Sequence, residues 1–221
     1  GSCPSPVESQ VDTYALTHNE TSTGVTATLN RPGQDGLVIV DATSAAGAIR
    51  WELSEVDCYY FAPQKALASD GGLWLAACSP AAVARIETLC SGSRWVPASL
   101  DLGVALSNSR QDQTYNTPSL ATIFLAAEMV DWINESGGLG WAEDRCGHSS
   151  GIIYRWAEER SFAQPFVADS RERSPVVCTI DFEGVDADTI SAVLRANGIV
   201  DTESYRKLGR NQLRIATFPA I

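Results

Sequence analysis

The chain has 221 residues, 44% of them hydrophobic, and a formal net charge of −11 at pH 7. The acidic charge excludes a general nucleic-acid binder, because such proteins carry a basic face. It does not exclude small anionic ligands, since a few local cations can hold a phosphate inside an acidic protein. The longest apolar stretch, over 119–130, is too short to cross a bilayer. The length allows one large domain or two modest ones.

Six cysteines stand at positions 3, 58, 78, 90, 146 and 178 without a CxxC pair. Most lie in apolar runs such as 76–78 and 176–178, which predicts buried free thiols in a reducing cytoplasm rather than a disulfide framework or a zinc site. Two histidines are too few for a histidine-based metal site, so no metal is expected. The only methionine is Met129, so we expect a piece of a longer protein that lacks at least an N-terminal part.

The first predicted elements are a loop over 1–10 and a strand over 11–17, followed by a polar turn over 18–25. This turn carries three hydroxyl side chains and a glycine, and it could donate to an anion or to an aromatic oxygen, although a plain turn is the commoner use. After a further turn at 31–36, residues 37–40 form a continuous apolar run, which is typical of a strand covered on both faces.

Two charged residues follow predicted strands. Asp41 comes directly after the strand over 37–40, where open α/β sheets place ligand contacts; the alternative is a cap of the next turn. A connector over 49–56 leads to a strand over 57–62 and then to Lys65. A partly desolvated lysine is neutral part of the time and can attack a carbonyl. The alternative for Lys65 is a stem on the core with its ammonium in water.

Next come a strand over 72–78 that returns as a hairpin partner of the lysine strand, a helix over 81–89 opened by Pro80, a loop-rich stretch over 91–114 and a helix over 120–134. Asn116 and Thr117 precede this last helix, with Pro118 at its predicted start. Free amides at a helix N-terminus suit a phosphate. The alternative is ordinary capping by Thr117.

The glycine-rich run 137–140 is the clearest boundary and predicts two domains, 1–140 and 141–221. The second part reads as a small α+β domain, with a helix over 146–162, a strand over 176–182, a helix over 186–197 closed by Gly198, a short strand over 199–200 and a last strand over 213–218. Arg206, Lys207, Arg210 and Arg214 make it locally basic. A basic strand edge can be a solvated face, but Arg214 in an apolar strand would be costly without an anionic partner.

Pyridoxal phosphate chemistry needs a lysine for the aldehyde, a carboxylate for the pyridine nitrogen, and donors for the phenolic oxygen and the phosphate. Five stretches of this chain carry such groups: 18–25 (HNETSTGV), 40–44 (VDATS), 61–65 (FAPQK), 115–118 (YNTP), and 205–209 (YRKLG) with 213–215 (LRI). Together they resemble the phosphoserine aminotransferase family, actinobacterial type, whose members are fold type I enzymes. The resemblance implies an α/β fold with a mostly parallel sheet in a partial large domain, and a small C-terminal α+β domain.

The resemblance also implies roles for individual residues. Lys65 would bind the cofactor aldehyde covalently and move the proton, and Asp41 would pair with the pyridine nitrogen. The other assignments are Thr21 to the phenolic oxygen, Gln64 to the cofactor phosphate, Asn116 and Thr117 to the phosphate in the neighbouring subunit of a homodimer, Arg214 to the substrate α-carboxylate, Arg206 to the substrate phosphate, and Ser44 as a further candidate. Relatives often carry histidine where this chain has Tyr205, which weakens the assignment of Arg206.

The implied reaction exchanges an amino group between glutamate and 3-phosphohydroxypyruvate, giving O-phosphoserine and 2-oxoglutarate in serine biosynthesis in the cytoplasm. The family has a longer N-terminal portion, with an aromatic that stacks on the ring and a glycine-containing phosphate loop, and it continues beyond Ile221. We therefore expect this chain alone to expose core surface and to bind the cofactor poorly. The alternatives are another fold type I enzyme, such as an alanine–glyoxylate type aminotransferase or a cysteine desulfurase, and a non-catalytic fragment that needs a partner chain. Desulfurases usually carry histidine in the place of Gln64.

Overall fold

The computed structural model describes residues 1–4, 11–33 and 35–221. The loop predicted over 1–10 and the turn predicted over 31–36 therefore lie partly outside the described residues. The strands are β1 (Thr13–Thr17), β2 (Asn19–Glu20), β3 (Val25–Thr26), β4 (Leu37–Asp41), β5 (Cys58–Phe61), β6 (Leu75–Cys78), β7 (Ala163–Pro165), β8 (Val177–Phe182) and β9 (Gln212–Ala216). The helices are α1 (Pro80–Cys90), α2 (Leu102–Ser109), α3 (Leu120–Ser136), α4 (Gly138–Glu158) and α5 (Ala187–Ala196), with short 3₁₀ helices at Leu53–Glu55, Ala98–Leu100, Ser170–Glu172 and Arg206–Leu208.

The first sheet has the strand order β1-β4-β5-β6. Strands β1, β4 and β5 are parallel, and β6 returns antiparallel to β5, which confirms the predicted hairpin partner of the lysine strand. Val38 and Val40 are buried, because β4 is central and covered. Since three strands run in the same direction, their carboxyl ends meet at one edge of the sheet, which brings together Thr17, Asp41 and Phe61.

A buried carboxylate fixes the opposite end of the same sheet. Asp57 accepts hydrogen bonds from the Val38 N–H (2.9 Å), the Ser79 hydroxyl (2.8 Å) and the Arg31 guanidinium (2.9 Å). Burial by itself would raise the pKa of Asp57, but these three donors lower it below the ordinary value of 3.8. Asp57 thereby holds three segments in register around the start of β5.

Strands β2 and β3 form a small antiparallel pair of their own. The second main sheet has the order β7-β8-β9 and is antiparallel throughout. One of its faces is apolar: Cys178, Ile180 and Leu213 pack in one core cluster with residues of α4 and α5. The other face carries Thr179, Asp181, Gln212 and Arg214, because side chains alternate along a strand. The small α+β unit expected after the glycine-rich run is therefore present, with the additional short strand β7.

Several predicted boundaries were wrong. The loop-rich stretch 91–114 contains α2, capped by the Asp101 carboxylate. The helix predicted over 146–162 begins earlier, at Gly138, directly after Gly137 ends α3 with a φ of 127°. The predicted strand over 199–200 is not formed.

Helix α3 is apolar and largely uncovered. Leu120, Ile123, Phe124 and Leu125 are exposed, and Leu120 is 81% exposed. Strand β6 is exposed at every position. The expectation of exposed apolar surface agrees with this arrangement.

The cysteines divide into two groups. All six are free thiols, and Cys146 and Cys178 are buried, as predicted. Cys78 and Cys90 are exposed, so the expectation of burial was wrong for these two. Within the described ranges, no helix combines the length and the apolar character needed to cross a bilayer. The same ranges hold no cluster of three or more histidine, cysteine or acidic side chains placed to bind a metal ion.

Candidate functional site

Asp41 lies at the carboxyl end of β4, between the ends of β1 and β5. One oxygen of its carboxylate accepts the Thr43 N–H (2.9 Å), so the turn after the strand holds the side chain in place. Tyr60 is its register partner on β5. Burial raises the pKa of Tyr60, and the adjacent Asp41 carboxylate raises it further through its charge and a hydrogen bond. Asp41 thus caps its turn and also presents a carboxylate at the edge where the strands end.

Lys65 lies in a tight turn just beyond β5. The Lys65 carbonyl accepts the Ala68 N–H (3.0 Å), and the Pro63 carbonyl accepts the Ser69 N–H (3.1 Å). Ala68 has a φ of 44°, a conformation that is costly for a residue other than glycine. Lys65 is half-buried, and its amine makes no ion pair or hydrogen bond with any other residue of the described ranges. Gln64, next to it, is exposed.

The segments after Asp41 and around Lys65 pack against each other. Ala66 shares a buried cluster with Ala45 and Ala48, which lie in the turn that follows Asp41. Gly47 has a φ of 86°, and a Cβ there would lie 2.7 Å from Leu67 Cδ2. Glycine at position 47 therefore suits both the left-handed backbone conformation and the close approach of the Leu67 side chain.

Thr21 opens the four-residue turn between β2 and β3. The Glu20 carbonyl accepts the Gly24 N–H (2.9 Å), and the Glu20 carboxylate accepts the Ser22 N–H (2.8 Å), so the turn is closed internally. The Thr21 hydroxyl has no hydrogen-bond partner in the part of the chain that the structure describes. It remains available to a ligand at the same edge as Asp41, because β2 follows β1 directly.

Strand β8 and the segment before it are hydrogen-bonded to this turn. The Thr179 hydroxyl donates to the Thr23 carbonyl (2.8 Å), and the Ser174 N–H donates to the Gly24 carbonyl (2.9 Å). Nothing in the sequence singled out Thr179, because a threonine in an apolar strand carries no motif. Arg214 is the register partner of Thr179 and lies on the same face of the sheet. Arg214 therefore lies on the same sheet face as the threonine that binds the turn bearing Thr21.

Arg214 is half-buried and makes no ion pair with any carboxylate of the described ranges. Its guanidinium lies over the Tyr205 ring, 5.7 Å from the centroid. Arg206 is exposed in the adjacent 3₁₀ helix. By contrast, Arg210 is bonded to the Asp181 carboxylate (3.1 Å). Of the four basic side chains in this region, Arg206, Lys207 and Arg214 form no ion pair with a described residue and are open to an anion, while Arg210 is already neutralised by Asp181.

Asn116 and Thr117 are exposed and lie before α3. The N-cap of that helix is Ser119, whose hydroxyl accepts the Thr122 N–H (3.4 Å), so the alternative role of Thr117 as the cap was wrong. The first turn of α3 contacts the segment after Lys65, because Ser69 donates its hydroxyl to the Thr122 carbonyl (2.7 Å).

Ser44 has an internal role in this structure. The Asn19 amide donates to the Ser44 hydroxyl (2.9 Å), which in turn donates to the Asn19 carbonyl (2.8 Å). The pair ties the start of the Thr21 hairpin to the turn after Asp41. The buried Asn19 Oδ1 finds no donor among the described residues, so this corner of the site retains an unused acceptor.

A separate cavity of about 380 Å³ lies beside the first sheet, with His18, Leu29, Trp51, Arg50 and Glu143 among its lining residues. None of the predicted site residues lines it. His18 is bonded through Nδ1 to the Tyr59 hydroxyl (2.9 Å). Burial lowers the pKa of His18 to about 4, against a smaller opposing effect of Glu143.

The fold is that of the fold type I aminotransferases. A crystal structure of a phosphoserine aminotransferase from Cytophaga hutchinsonii superposes with a TM-score of 0.88 at 22% identity, covering 97% of this chain and 60% of that one. A subgroup IV aspartate aminotransferase from Thermus thermophilus superposes with a TM-score of 0.85 at 22% identity, covering all of this chain and 64% of that one. At this level of identity the likeness establishes the fold class, which confirms the sequence prediction.

The chain belongs to the aminotransferase class-V family, whose sequence model matches residues 3–202. A putative phosphoserine aminotransferase from Mycolicibacterium vanbaalenii is 55% identical over 225 residues, covering all of this chain and 61% of the relative. A phosphoserine aminotransferase from Nocardioides sp. is 56% identical over 227 residues, with the same two coverages. These relatives confirm the resemblance drawn from the sequence motifs. The chain spans about 61% of the length of these curated relatives.

Proposed function

We propose that this chain carries the lysine and the substrate-carboxylate clamp of a pyridoxal-phosphate-dependent phosphoserine aminotransferase, acting on glutamate and 3-phosphohydroxypyruvate. One observation carries the proposal. The half-buried Arg214, which has no ion pair with any described residue, lies on the sheet face whose Thr179 side chain binds the turn of Thr21. A partly buried guanidinium without a carboxylate partner favours an anionic ligand, and its planar fork suits a carboxylate.

The residues at the strand ends fit the proposed cofactor chemically. Lys65 offers an amine that no described acceptor occupies, Thr21 offers a free hydroxyl, and Asp41 offers a carboxylate with one oxygen fixed by the turn. Gln64 is exposed and can donate to a phosphate. When bound, pyridoxal phosphate supplies a ring that accepts the electron pair released at the substrate α-carbon.

In this proposal each side chain has a defined task. Lys65 holds the cofactor aldehyde and then carries the proton to and from the substrate α-carbon. Asp41 keeps the pyridine nitrogen protonated, and Thr21 donates to the phenolic oxygen. Arg214 orients the substrate through its α-carboxylate. Substitution of Lys65 by alanine should therefore abolish both the visible absorbance of the covalently lysine-bound cofactor and transamination.

The Arg214 assignment is tested by kinetics on the holoenzyme. Arg214→Lys keeps the charge but loses the bidentate geometry, so the KM for glutamate should rise about 10- to 100-fold, as expected for a loss of roughly 1.4 to 2.8 kcal/mol. Arg195→Lys is the matched control, because Arg195 is bonded to Glu203 (2.8 Å) on the surface. An unchanged KM in Arg214→Lys would show that the substrate carboxylate is bound elsewhere.

Arg206 distinguishes a phosphoserine enzyme from other fold type I aminotransferases. If Arg206 meets the substrate phosphate, Arg206→Ala should lower kcat/KM for 3-phosphohydroxypyruvate at least tenfold, while kcat/KM for unphosphorylated hydroxypyruvate stays near its original low value. Equal losses on both substrates would favour an alanine–glyoxylate type enzyme instead. Measurable cysteine desulfuration would favour the desulfurase alternative.

We also propose a homodimer in which Asn116 and Thr117 reach the cofactor phosphate of the neighbouring subunit. Both residues are exposed, and they precede a helix whose apolar side chains, Leu120 and Phe124 among them, are also exposed. Subunit mixing tests this arrangement. Lys65→Ala chains mixed with Asn116→Ala/Thr117→Ala chains should regain activity, because one site of each mixed dimer is then intact. If these residues served their own subunit, no mixture would recover activity.

Two further proposals concern the division into domains and the cellular location. We propose that residues 1–140 belong to the large cofactor-binding domain and residues 141–221 to the small domain, because the four-stranded sheet lies within the first range and the three-stranded sheet within the second. We also propose a cytoplasmic location, because all six thiols are free.

A further inference from the structure

Two cysteines lie side by side on the hairpin that carries the Lys65 turn. Cys58 on β5 is the register partner of Cys78 on β6, and their sulfur atoms are 3.8 Å apart. Directly opposed residues of an antiparallel pair have Cα atoms about 4.5 to 5.5 Å apart and side chains on the same face. Disulfides span Cα distances of about 4.4 to 6.8 Å. The backbone therefore already has the geometry of a cross-strand disulfide.

The register of this pair is fixed by its neighbours. The Ser79 hydroxyl donates to the Asp57 carboxylate (2.8 Å), and the Ser79 N–H donates to the Asp57 carbonyl (2.7 Å). These bonds lie one residue beyond the cysteines on each strand, so the hairpin cannot slip without breaking them. The two sulfur atoms need only side-chain rotation to reach a bonding distance of about 2.0 Å.

We propose that Cys58 and Cys78 are an oxidisable pair that forms an intramolecular disulfide when the protein meets hydrogen peroxide. This proposal is independent of the proposed aminotransferase activity. It makes the hairpin that leads into Lys65 a site of reversible modification, because the disulfide closes the segment 58–78 covalently and a dithiol reagent reopens it.

The two thiols have different environments, which assigns the order of steps. Cys78 is exposed, and Cys58 is half-buried. Burial raises the pKa of Cys58, and the adjacent Cys78 raises it further, so Cys58 remains protonated at first. The Cys78 sulfur attacks one peroxide oxygen, which forms an S–O bond as the O–O bond breaks and releases one water. The Cys58 sulfur then attacks Cys78, forming the S–S bond and releasing the hydroxyl as a second water. Two thiols are oxidised and one peroxide is reduced.

The test uses the full chain, purified reduced and treated with a small excess of hydrogen peroxide. Titration in denaturant should show a fall from six free thiols to four, with a mass loss of about 2 Da and a proteolytic peptide that links 58 to 78. Cys58→Ser and Cys78→Ser should each prevent this peptide. Cys90→Ser is the matched control: Cys90 is also exposed, but its thiol donates to Asp101 (3.6 Å), and its removal should leave the linked peptide unchanged.

Each other outcome overturns the proposal. A mass gain from sulfinic acid at Cys78, without the linked peptide, would show that Cys58 does not reach the oxidised sulfur. A covalent dimer through Cys78 would show that its partner is another chain. The peroxide dose is first set so that it oxidises Cys90 in the Cys78→Ser variant. If the unmodified chain keeps all six thiols at that dose, the pair is inert.

Discussion

Gly24 is the point at which the turn bearing Thr21 meets the second sheet, and it provides the sharpest test of how the two are joined. Its φ is 70°, and a Cβ at this position would lie 2.7 Å from Thr179 Oγ1 and 3.1 Å from the Val177 carbonyl oxygen. Gly184 has the same φ of 70°, and no atom of the described residues lies within 4 Å of the equivalent Cβ. Comparing alanine substitutions at Gly24 and Gly184 therefore separates the cost of the backbone conformation from the cost of the contact with β8.

The expected magnitudes follow from these two surroundings. A left-handed conformation costs an L-residue about 1 to 2 kcal/mol, so Gly184→Ala should lower the free energy of unfolding by about that amount. Gly24→Ala adds an overpacked contact, worth about 1 to 3 kcal/mol, and disturbs the bond from Thr179 to Thr23, worth about 1 kcal/mol. We therefore expect Gly24→Ala to cost about 2 to 4 kcal/mol more than Gly184→Ala.

Urea denaturation of the two variants measures this difference, and a double variant assigns its cause. In a Thr179→Ala background, the Thr179 atoms that obstruct the new Cβ are gone and only the Val177 carbonyl oxygen (3.1 Å) remains close, so Gly24→Ala should cost clearly less than it does in the unmodified chain and approach the cost of Gly184→Ala. Equal losses in the two single variants would refute the close approach of the turn to β8. An undiminished loss in the double variant would show that Thr179 is not the obstructing side chain.

Three further predictions concern buried polar groups. The folded-state pKa of His18, about 4, lies below its ordinary value of 6.5, so protonation favours the unfolded chain. The free energy of unfolding should therefore fall as the pH is lowered from 6.5 to 4, by about 2 kcal/mol at pH 5. Denaturation at several pH values should show that this pH dependence disappears in His18→Gln but persists in His148→Gln. Tyr154→Phe removes the bond to the Ser174 carbonyl (2.9 Å) and should cost about 1 to 2 kcal/mol in urea denaturation, whereas an unchanged midpoint would contradict that bond. The pKa of Asp57 is lowered in the folded state, so the stabilisation by its carboxylate is complete above pH 4 and is lost as the pH falls through the folded-state pKa. Asp57→Asn should therefore lower the free energy of unfolding at pH 7. In acid denaturation, this variant should lack the loss of stability that protonation of Asp57 causes.

The sequence predicted correctly those elements whose apolar or polar residues match their buried or exposed positions in the fold. The apolar run before Asp41 and the aromatic run before Lys65 became parallel neighbours, as buried strands with polar ends should. Helix α2 was missed, although Asp101 is a regular N-cap, because glycine, serine and asparagine in 102–109 lower helix propensity.

The strand predicted over 199–200 failed for a backbone reason. Gly198 and Asp201, on either side, have φ values of 84° and 61°, so the chain bends at both ends of the two-residue run. The Arg214 N–H pairs instead with the Thr202 carbonyl (2.9 Å), just beyond the bend. Two β-branched or aliphatic residues were thus outweighed by the turns around them.

The position of Arg214 could not be predicted from its own strand, because a two-residue period fixes which residues share a face but not which face meets the site. A slip of one residue would place Arg214 on the apolar face with Ile180. The register is held by Asp181, which accepts hydrogen bonds from the side chains of Gln212 (2.8 Å) and Arg210 (3.1 Å). These bonds also occupy the carboxylate of Asp181, so it does not neutralise Arg214. The availability of Arg214 for an anionic ligand therefore depends on a neighbouring polar cluster, formed by Asp181, Gln212 and Arg210.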